Sequence, residues 1–239
     1  HVHVGISDRE AAVQVLNRMR VHLPTVLALT VNSPFWQGVD TGYASFRTEL
    51  WRRWPTNGIP EIFESAAEYD ELVETLLATG SVDDPGRIYF DARLSHRFDT
   101  VEVRVSDACL KVDEAVMAAG LSRALARLSH IGAVEGHPLP RPRPELLRAA
   151  LWRAARYGVE ADLLDVVEGR AVPARGLVDS LLAELRPALE EAGDWEEVAE
   201  LVGRTMEGGT GARRQRDCLA RQGSLEDVVD FVVAETAAD

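Results

Sequence analysis

Strict alternation of apolar and polar side chains occurs in three short segments, all in the first half of the chain. These segments are HVHVGI (residues 1–6), RIYFDARLS (87–95) and TVEVRVSD (100–107). Such alternation places apolar side chains on one face of a strand and polar side chains on the other. Most of the remaining sequence has helical periodicity. The sequence therefore predicts an α+β fold with a small antiparallel sheet and many packed helices.

Helix starts are marked by two capping patterns. Ser7 is followed by Glu10, which predicts a helix beginning at this point, and Pro24 either kinks that helix or starts a second one. Ser65 begins a second S-x-x-E pattern, and the helix that follows is expected to end at Gly80. The first half of the chain is thus predicted to place helices between its strands.

A proline-rich tract, HPLPRPRPE, interrupts the periodic segments and suggests a division of the chain. We predict a core over residues 1–137, which includes a helix from about Val112 to His130. Residues 138–145 would form a linker or strap. Residues 146–239 would form an all-helical C-terminal portion packed on the core.

Residues 32–60 are predicted to be mostly irregular, because they are rich in glycine, proline and asparagine. Irregular segments of this length are uncommon in compact domains unless they build a site. The segment also carries Trp36, Trp51 and Trp54, which we expect to pack against the protein and not to stack on a nucleotide base.

The charge balance excludes some partners. The formal net charge is −13, so nucleic acid and anionic membrane surfaces would be repelled. No apolar run approaches the ~20 residues of a membrane span. Cys109 and Cys218 are expected to be reduced thiols, as in a cytoplasmic protein. Lys111 is the only lysine, so anions would be bound by arginines, which make two-point contacts.

The polar faces of the three predicted strands share one chemical character, since most of their side chains are titratable. They are His1 and His3; Tyr89, Asp91 and Arg93; Glu102 and Arg104. One interpretation is an ordinary sheet face in contact with water. The other is a metal and phosphate site, because carboxylate and imidazole bind divalent cations while arginines neutralise phosphates.

Four segments resemble a known family. HVHVGI, LTVNSPFWQGVDTGYASFRTELWRRWP, TVEVRVSDA and GGTGARRQR are similar, in the same order, to bacterial carboxylate–amine ligases of the glutamate–cysteine ligase type 2 family. The resemblance implies a glutamine-synthetase-like antiparallel sheet. Family members carry a preceding region with a G-x-E-x-E-like strand. We therefore expect the N-terminal strands of the sheet, and part of the metal ligands, to be absent here.

The resemblance also implies roles for individual residues. His1, His3 and Glu102 would be metal ligands, with the choice between the two histidines left open. Arg47 and Arg104 would be catalytic, and both would contact the nucleotide or the substrate carboxylate. Arg93 would be a further cofactor-binding residue on the same face as Asp91.

The implied reaction is ATP-dependent ligation of a carboxylate to an amine through an acyl phosphate, with Mg²⁺ and ATP as cofactors. Glutamate and cysteine are the implied small-molecule substrates, and a homodimer is one possible assembly. A non-enzymatic alternative is a catalytically incomplete, ligase-like module that binds nucleotide. His-x-His strands also occur in amidohydrolase barrels, but this chain lacks the required repeated strand–helix units.

The segment GGTGARRQR leaves two interpretations open. Its glycines and arginines could bind an anion at a helix N-terminus, or they could form a turn between two helices. The segment is not a phosphate-binding P-loop, because no Lys-Ser or Lys-Thr pair follows the glycines. Of the other histidines, His96 lies nearest to a predicted strand.

Overall fold

The computed structural model describes residues 1–238. In that part of the chain, short strands alternate with helices up to residue 172, and four helices follow. The strands are β1 (Val2–Gly5), β2 (Phe35–Trp36), β3 (Val39–Asp40), β4 (Ala92–Leu94), β5 (Thr100–Val103), β6 (Leu163–Asp165) and β7 (Arg170–Val172). The helices are α1 (Arg9–Met19), α2 (Leu23–Thr30), α3 (Phe46–Trp51), α4 (Ala66–Ala78), α5 (Val112–Val134), α6 (Pro144–Tyr157), α7 (Ala174–Ala192), α8 (Trp195–Gly208), α9 (Gly211–Gln222) and α10 (Leu225–Ala237).

The three predicted strands form one antiparallel sheet in the order β1–β5–β4. The predicted α+β class is therefore confirmed, whereas the glutamine-synthetase-like arrangement stays a prediction. The strand predicted over residues 87–95 is shorter than expected. It is regular only over Ala92–Leu94, because Pro85–Arg87 form a 3₁₀ turn.

Two hairpins correct the sequence prediction. In the segment predicted to be irregular, β2 and β3 pair around Gln37 and Gly38, and α3 follows them. Both turn residues have positive φ (47° and 81°), as a tight two-residue hairpin turn requires. The C-terminal portion is not all-helical, because β6 and β7 form a hairpin. Its turn is organised by Asp165, whose Oδ1 accepts from two backbone N–H groups at 3.0 Å.

The first helix begins one residue later than predicted. Asp8, and not Ser7, caps α1 by accepting from the backbone N–H of Ala11 at 2.7 Å. Glu10 instead accepts from the backbone N–H of Ala66 at 3.0 Å, which joins the starts of α1 and α4. A new helix, α2, begins at Leu23 with Pro24 in its first turn, so the second of the two interpretations of that proline is confirmed.

Beside a small hydrophobic cluster that includes Val21 and Leu147, a much larger one contains residues from both sides of the proline-rich tract. It joins Leu16 of α1 and Val101 of the sheet to Leu125, Leu151 and Leu185 on later helices. Each such side chain contributes about 1.5–3 kcal/mol when fully buried. The division into a core, a strap and a helical portion stays a prediction. No helix within residues 1–238 is long and apolar enough to cross a membrane.

Candidate functional site

The sheet register places His3, Glu102 and Arg93 side by side on the polar face. His3 lies opposite Glu102 across β1 and β5, and Glu102 lies opposite Arg93 across β5 and β4. Nε of Arg93 donates to Oε2 of Glu102 at 2.7 Å. Nε2 of His3 lies 3.7 Å from Oε1 of Glu102. These three residues form a row around one carboxylate, and we call it the row at Glu102.

Arg104 and His1 lie outside the paired residues of the sheet, and both contact the same carboxylate. Nη1 of Arg104 donates to Oε1 of Glu102, and Nδ1 of His1 lies 3.1 Å from that oxygen. Nη1 of Arg104 is also 3.2 Å from Nδ1 of His1. Four of the six residues predicted to form the site, His1, His3, Arg93 and Arg104, thus converge on a fifth, Glu102.

Glu102 is buried, with 3% of its surface exposed. Burial alone would raise the pKa of its carboxyl. The hydrogen bond from Arg93 and the charges of Arg104 and Arg93 outweigh burial, so the pKa is lowered. Glu102 is thus held as a carboxylate between two guanidinium groups, each engaged with a different oxygen atom.

Arg93 is occupied by the protein itself. In addition to Glu102, it donates from Nη1 to the backbone carbonyls of Gly86 and Ile88, at 2.8 and 2.7 Å. The residue is 7% exposed. Its predicted role in cofactor binding stays a prediction, and in the described structure its contacts anchor the segment that covers this side of the sheet.

Arg47 lies on α3 and reaches the end of β5. Its Nη2 donates to the backbone carbonyl of Arg104 at 3.0 Å, and its Nη1 lies 3.9 Å from Oδ1 of Asp107. This geometry agrees with the prediction that Arg47 reaches the sheet from the long segment. Its role in binding a ligand stays a prediction.

Asp107 organises this region and was not identified by the sequence analysis. Its Oδ2 accepts from the backbone N–H of Asn32 and from Ser33 Oγ, at 2.7 and 2.8 Å. Its Oδ1 accepts from Ser45 Oγ at 2.8 Å. Burial raises the pKa of this carboxyl, and the hydrogen bonds oppose the rise. The signal in the sequence was an acidic residue at the end of the alternating segment.

The backbone carbonyl of Asp91 accepts from the backbone N–H of Arg104 at 2.7 Å, and Asp91 is buried. Burial raises the pKa of its carboxyl to about 6, although the charges of Arg47, Arg52 and Arg104 oppose the rise. Its Oδ2 has no hydrogen-bond partner among residues 1–238. These arginines therefore surround Asp91 without making a hydrogen bond to that oxygen atom.

A cavity of about 550 Å³ opens beside His1, His3 and Arg104. It extends along the segment after β5, where Asp107 and Lys111 also line it. The volume lies in the range of about 300–1,000 Å³ that is typical of small-molecule sites. Thr236 of α10 also lines the cavity, and Lys111 forms an ion pair with Glu235 of the same helix at 2.9 Å.

The donor set of this face does not, as arranged, fit a magnesium ion. Mg²⁺ prefers oxygen ligands in an octahedral arrangement. Here the one central carboxylate is Glu102, and both of its oxygens are engaged by guanidinium groups. Within residues 1–238, no group of three or more acidic, histidine or cysteine side chains has the geometry of a metal site. Coordination by His1, His3 and Glu102 stays a prediction, and it requires Arg104 to release Glu102.

The arginines of GGTGARRQR contact carboxylates of the protein itself. Arg213 pairs with Asp217 at 3.0 Å, Arg214 pairs with Glu235 at 3.1 Å, and Arg216 donates to Asp40 at 2.7 Å. Thr210 caps α9 by accepting from the backbone N–H of Arg213 at 3.4 Å. These contacts favour the interpretation of this segment as a turn between helices.

Of the tryptophans of the long segment, Trp36 and Trp54 are exposed and Trp51 is half-buried. Trp51 contacts Tyr89, with ring centroids 4.6 Å apart, and Trp54 lies 5.5 Å from Trp51. Trp36 is 46% exposed and lies 5.9 Å from Phe46. Packing is therefore the observed role of Trp51, in agreement with the prediction. His96 is exposed, and its Nε2 lies 3.1 Å from Nε of Arg97.

Three of the segments on which the sequence resemblance was based contain β1, Arg47 and β5. The family description of glutamate–cysteine ligase family 2 (GCS2) matches residues 1–234. The chain belongs to this family, and the predicted resemblance is confirmed.

Several curated relatives are similar over almost the whole chain. "Putative glutamate--cysteine ligase 2-2" of Frankia alni is 51% identical over 236 residues, which cover 99% of this chain and 62% of the relative. The protein of the same name in Frankia casuarinae is 48% identical and is covered to 27%. The one in Mycolicibacterium smegmatis is 47% identical and is covered to 60%. The chain thus spans about three fifths, or less, of these relatives.

Proposed function

We propose that this chain belongs to an ATP-dependent carboxylate–amine ligase that joins glutamate to an amine, with cysteine as the implied amine. The observation that supports this proposal most directly is the convergence of Arg93, Arg104 and two histidines at Glu102 beside an open cavity. Cationic groups are concentrated there in a chain whose net charge is −13. The names of the relatives support the choice of substrates.

The proposed reaction has two steps. In the first, a carboxylate oxygen forms a bond to the γ-phosphorus of ATP while the bond from that phosphorus to the β,γ-bridging oxygen breaks, which releases ADP. In the second, the amine nitrogen forms a bond to the acyl carbon, phosphate leaves, and the nitrogen loses its extra proton. Phosphoryl transfer spreads negative charge over the phosphoryl oxygens, and fixed cations stabilise that charge.

In this proposal, Arg104 is the cation nearest to the reacting groups, because it lines the cavity while Arg93 is held by backbone carbonyls. Arg47 holds the backbone of Arg104 in place and lies close enough to contribute charge. Mg²⁺ would accompany ATP and neutralise its phosphates. The cytoplasmic location and a homodimer remain part of the proposal.

The test is ADP release from Mg-ATP in the presence of glutamate and a panel of amines that includes cysteine. Glu102→Gln should abolish the amine-dependent part. Arg47→Ala should raise the Michaelis constant for glutamate or ATP. Arg53→Gln, at an exposed position in the same segment, should leave both quantities unchanged.

The outcomes separate ligation from its alternative. ADP that depends on one amine and disappears in Glu102→Gln would establish ligation and identify the amine. Binding of Mg-ATP without ADP release for any amine would instead favour the ligase-like nucleotide-binding module. If Arg47→Ala changes neither Michaelis constant, its assignment to the site is wrong. The full-length Mycolicibacterium smegmatis relative, assayed in parallel, would show whether activity needs residues outside this chain.

A further inference from the structure

A second cavity shares no lining residue with the cavity beside the row at Glu102. It is bounded by the 3₁₀ turn Arg20–His22, by residues 57–61 and by the first half of α6. Its volume is about 410 Å³, within the range of about 300–1,000 Å³ that is typical of small-molecule sites. The family relationship and the proposed ligation assign no role to this cavity.

Arg20 is the least satisfied cation in the cavity wall. It is 3% exposed, and burial lowers the pKa of its guanidinium. Its Nε has no hydrogen-bond partner among the described residues. The carboxylate near it is Glu61, at 3.5 Å from Nη2, and that side chain is 67% exposed. A buried guanidinium with a single weak partner is costly, and an anion in the cavity would give its terminal Nη groups a second partner.

The other two arginines of the wall are already paired. Nη1 of Arg52 lies 3.1 Å from Glu49, and Arg148 donates to Glu145 at 3.2 Å. They add positive potential at the cavity without needing a new partner. Arg20 is therefore the residue that would make the direct contact with an anion.

The same wall also contains an unsatisfied acceptor. Nδ2 of Asn57 donates to the backbone carbonyl of Tyr89 at 3.2 Å, which fixes the orientation of the amide. Its Oδ1 has no hydrogen-bond partner among residues 1–238. That oxygen is buried, so the acceptor that a ligand in the cavity can reach is the exposed carboxylate of Glu61, which calls for a ligand that also carries hydrogen-bond donors.

The remaining wall is aliphatic and comes mainly from α6. Leu147 and Leu151 are almost fully buried, and Ile59 lies opposite on the loop. A ligand for this cavity would thus have an oxyanion, a donor group of positive charge and an aliphatic part. A free α-amino acid has these three parts in one small molecule.

We propose that this cavity binds a free α-amino acid with an aliphatic side chain, whose carboxylate contacts Arg20, whose ammonium group contacts Glu61, and whose side chain packs on Leu147. The site is independent of ATP and of the row at Glu102. One connection between the cavity and the sheet is a backbone hydrogen bond, in which the carbonyl of Gly58 accepts from the N–H of Asp91 at 2.8 Å.

The test is calorimetric titration of the chain with L-leucine and with compounds that each lack one of its groups. These are 4-methylpentanoate, which lacks the ammonium group; 3-methylbutylamine, which lacks the carboxylate; and inorganic phosphate, a plain anion. Leucine should bind at least about tenfold more tightly than each of them. Equal binding of phosphate or of 4-methylpentanoate would overturn the assignment to an amino acid, and so would the absence of any leucine binding.

Variants locate the binding. Arg20→Gln and Glu61→Gln should each weaken leucine binding. Glu61→Gln should leave the fold intact, because Glu61 is exposed. Arg47→Ala and the exposed-site control Arg53→Gln should leave it unchanged. Leucine binding that is lost in Arg47→Ala but kept in Glu61→Gln would place the amino acid at the sheet face and refute this site. Because no step of the titration needs ATP, the result does not depend on whether ligation is observed.

Discussion

The guanidinium of Arg47 donates to the main-chain carbonyl of Arg104, with 3.0 Å between Nη2 and the oxygen. This contact connects α3, in the long segment after α2, to the residue that follows β5. Because Arg104 also donates to Glu102, the loop and the centre of the sheet are joined through one residue. Changes in the loop should therefore reach the site, and the predictions below follow from contacts of this kind.

Replacement of Glu102 by glutamine should destabilise the fold as well as remove activity. The change leaves Arg93 buried without its charged partner, for a loss of about 2–4 kcal/mol in the free energy of unfolding. Urea unfolding measures the loss. Glu191→Gln is the matched control, since it breaks the exposed pair with Arg127 and should leave the unfolding midpoint unchanged. A Glu102→Gln protein as stable as the wild type would show that the pair contributes nothing.

Replacement of Asp107 by alanine should loosen the segment that carries Arg47. Three donors, from Asn32, Ser33 and Ser45, would lose their acceptor, at a cost of about 2–4 kcal/mol. Hydrogen exchange should accelerate at the backbone amides of the 32–47 segment more than in α7. Asp99→Asn, at an exposed position, is the control. Unchanged exchange in that segment would mean that Asp107 does not hold it.

The pH dependence of stability should carry a contribution from Asp91. Burial raises the pKa of its carboxyl to about 6, from an ordinary value of 3.8. Between these values the folded state binds more protons than the unfolded state, so the contribution of Asp91 to stability falls as pH rises from about 4 to 6. The fall should be of the order of 3 kcal/mol.

Asp91→Asn removes this contribution while preserving the size of the side chain. Urea unfolding of both proteins between about pH 4 and 7 should show the wild type losing stability relative to the variant as pH rises. The difference isolates Asp91 from Glu102, whose lowered pKa acts in the opposite direction. A difference that stays constant, or that grows in favour of the wild type, would refute the raised pKa.

Replacement of Gly211 by alanine should destabilise the protein, because the new Cβ would lie 2.1 Å from Oδ1 of Asn32. The side chain of Asn32 cannot easily move away, since it also donates to the backbone carbonyl of Ala108 at 2.8 Å. We expect a loss of about 1–3 kcal/mol. Gly203→Ala in α8 is the control, because nothing lies within 4 Å of its added Cβ, and it should gain stability by up to about 1 kcal/mol. Equal effects at the two glycines would show that the contact at Asn32 is unimportant.

The sequence was sufficient to predict the sheet and its polar face, because alternation depends only on local backbone geometry. The pairing of His3, Glu102 and Arg93 follows once the register is known, and the register is fixed by the apolar side chains on the opposite face. The β6–β7 hairpin was missed because Leu163–Asp165 is too short to show a period of two. The β2–β3 hairpin was missed because its Gln-Gly turn was not recognised.

The hydrogen-bond partners of each site residue could not be predicted in the same way. Arg93 was expected to face a ligand, but three backbone carbonyls near residues 85–88 compete for its donors. The role of Asp107 depends on two serines that lie 62 and 74 residues away along the chain. Such partners are set by tertiary packing, which a pattern in one segment does not contain.

The attachment of α9 also has a consequence for biosynthesis. Gln215 donates to Asn32 across 183 residues, and Arg216 donates to Asp40 across 176. Contacts between residues this far apart in sequence slow folding, because the intervening chain must first close a long loop. The segment between α2 and α3 therefore cannot acquire its final contacts until α9 has emerged from the ribosome.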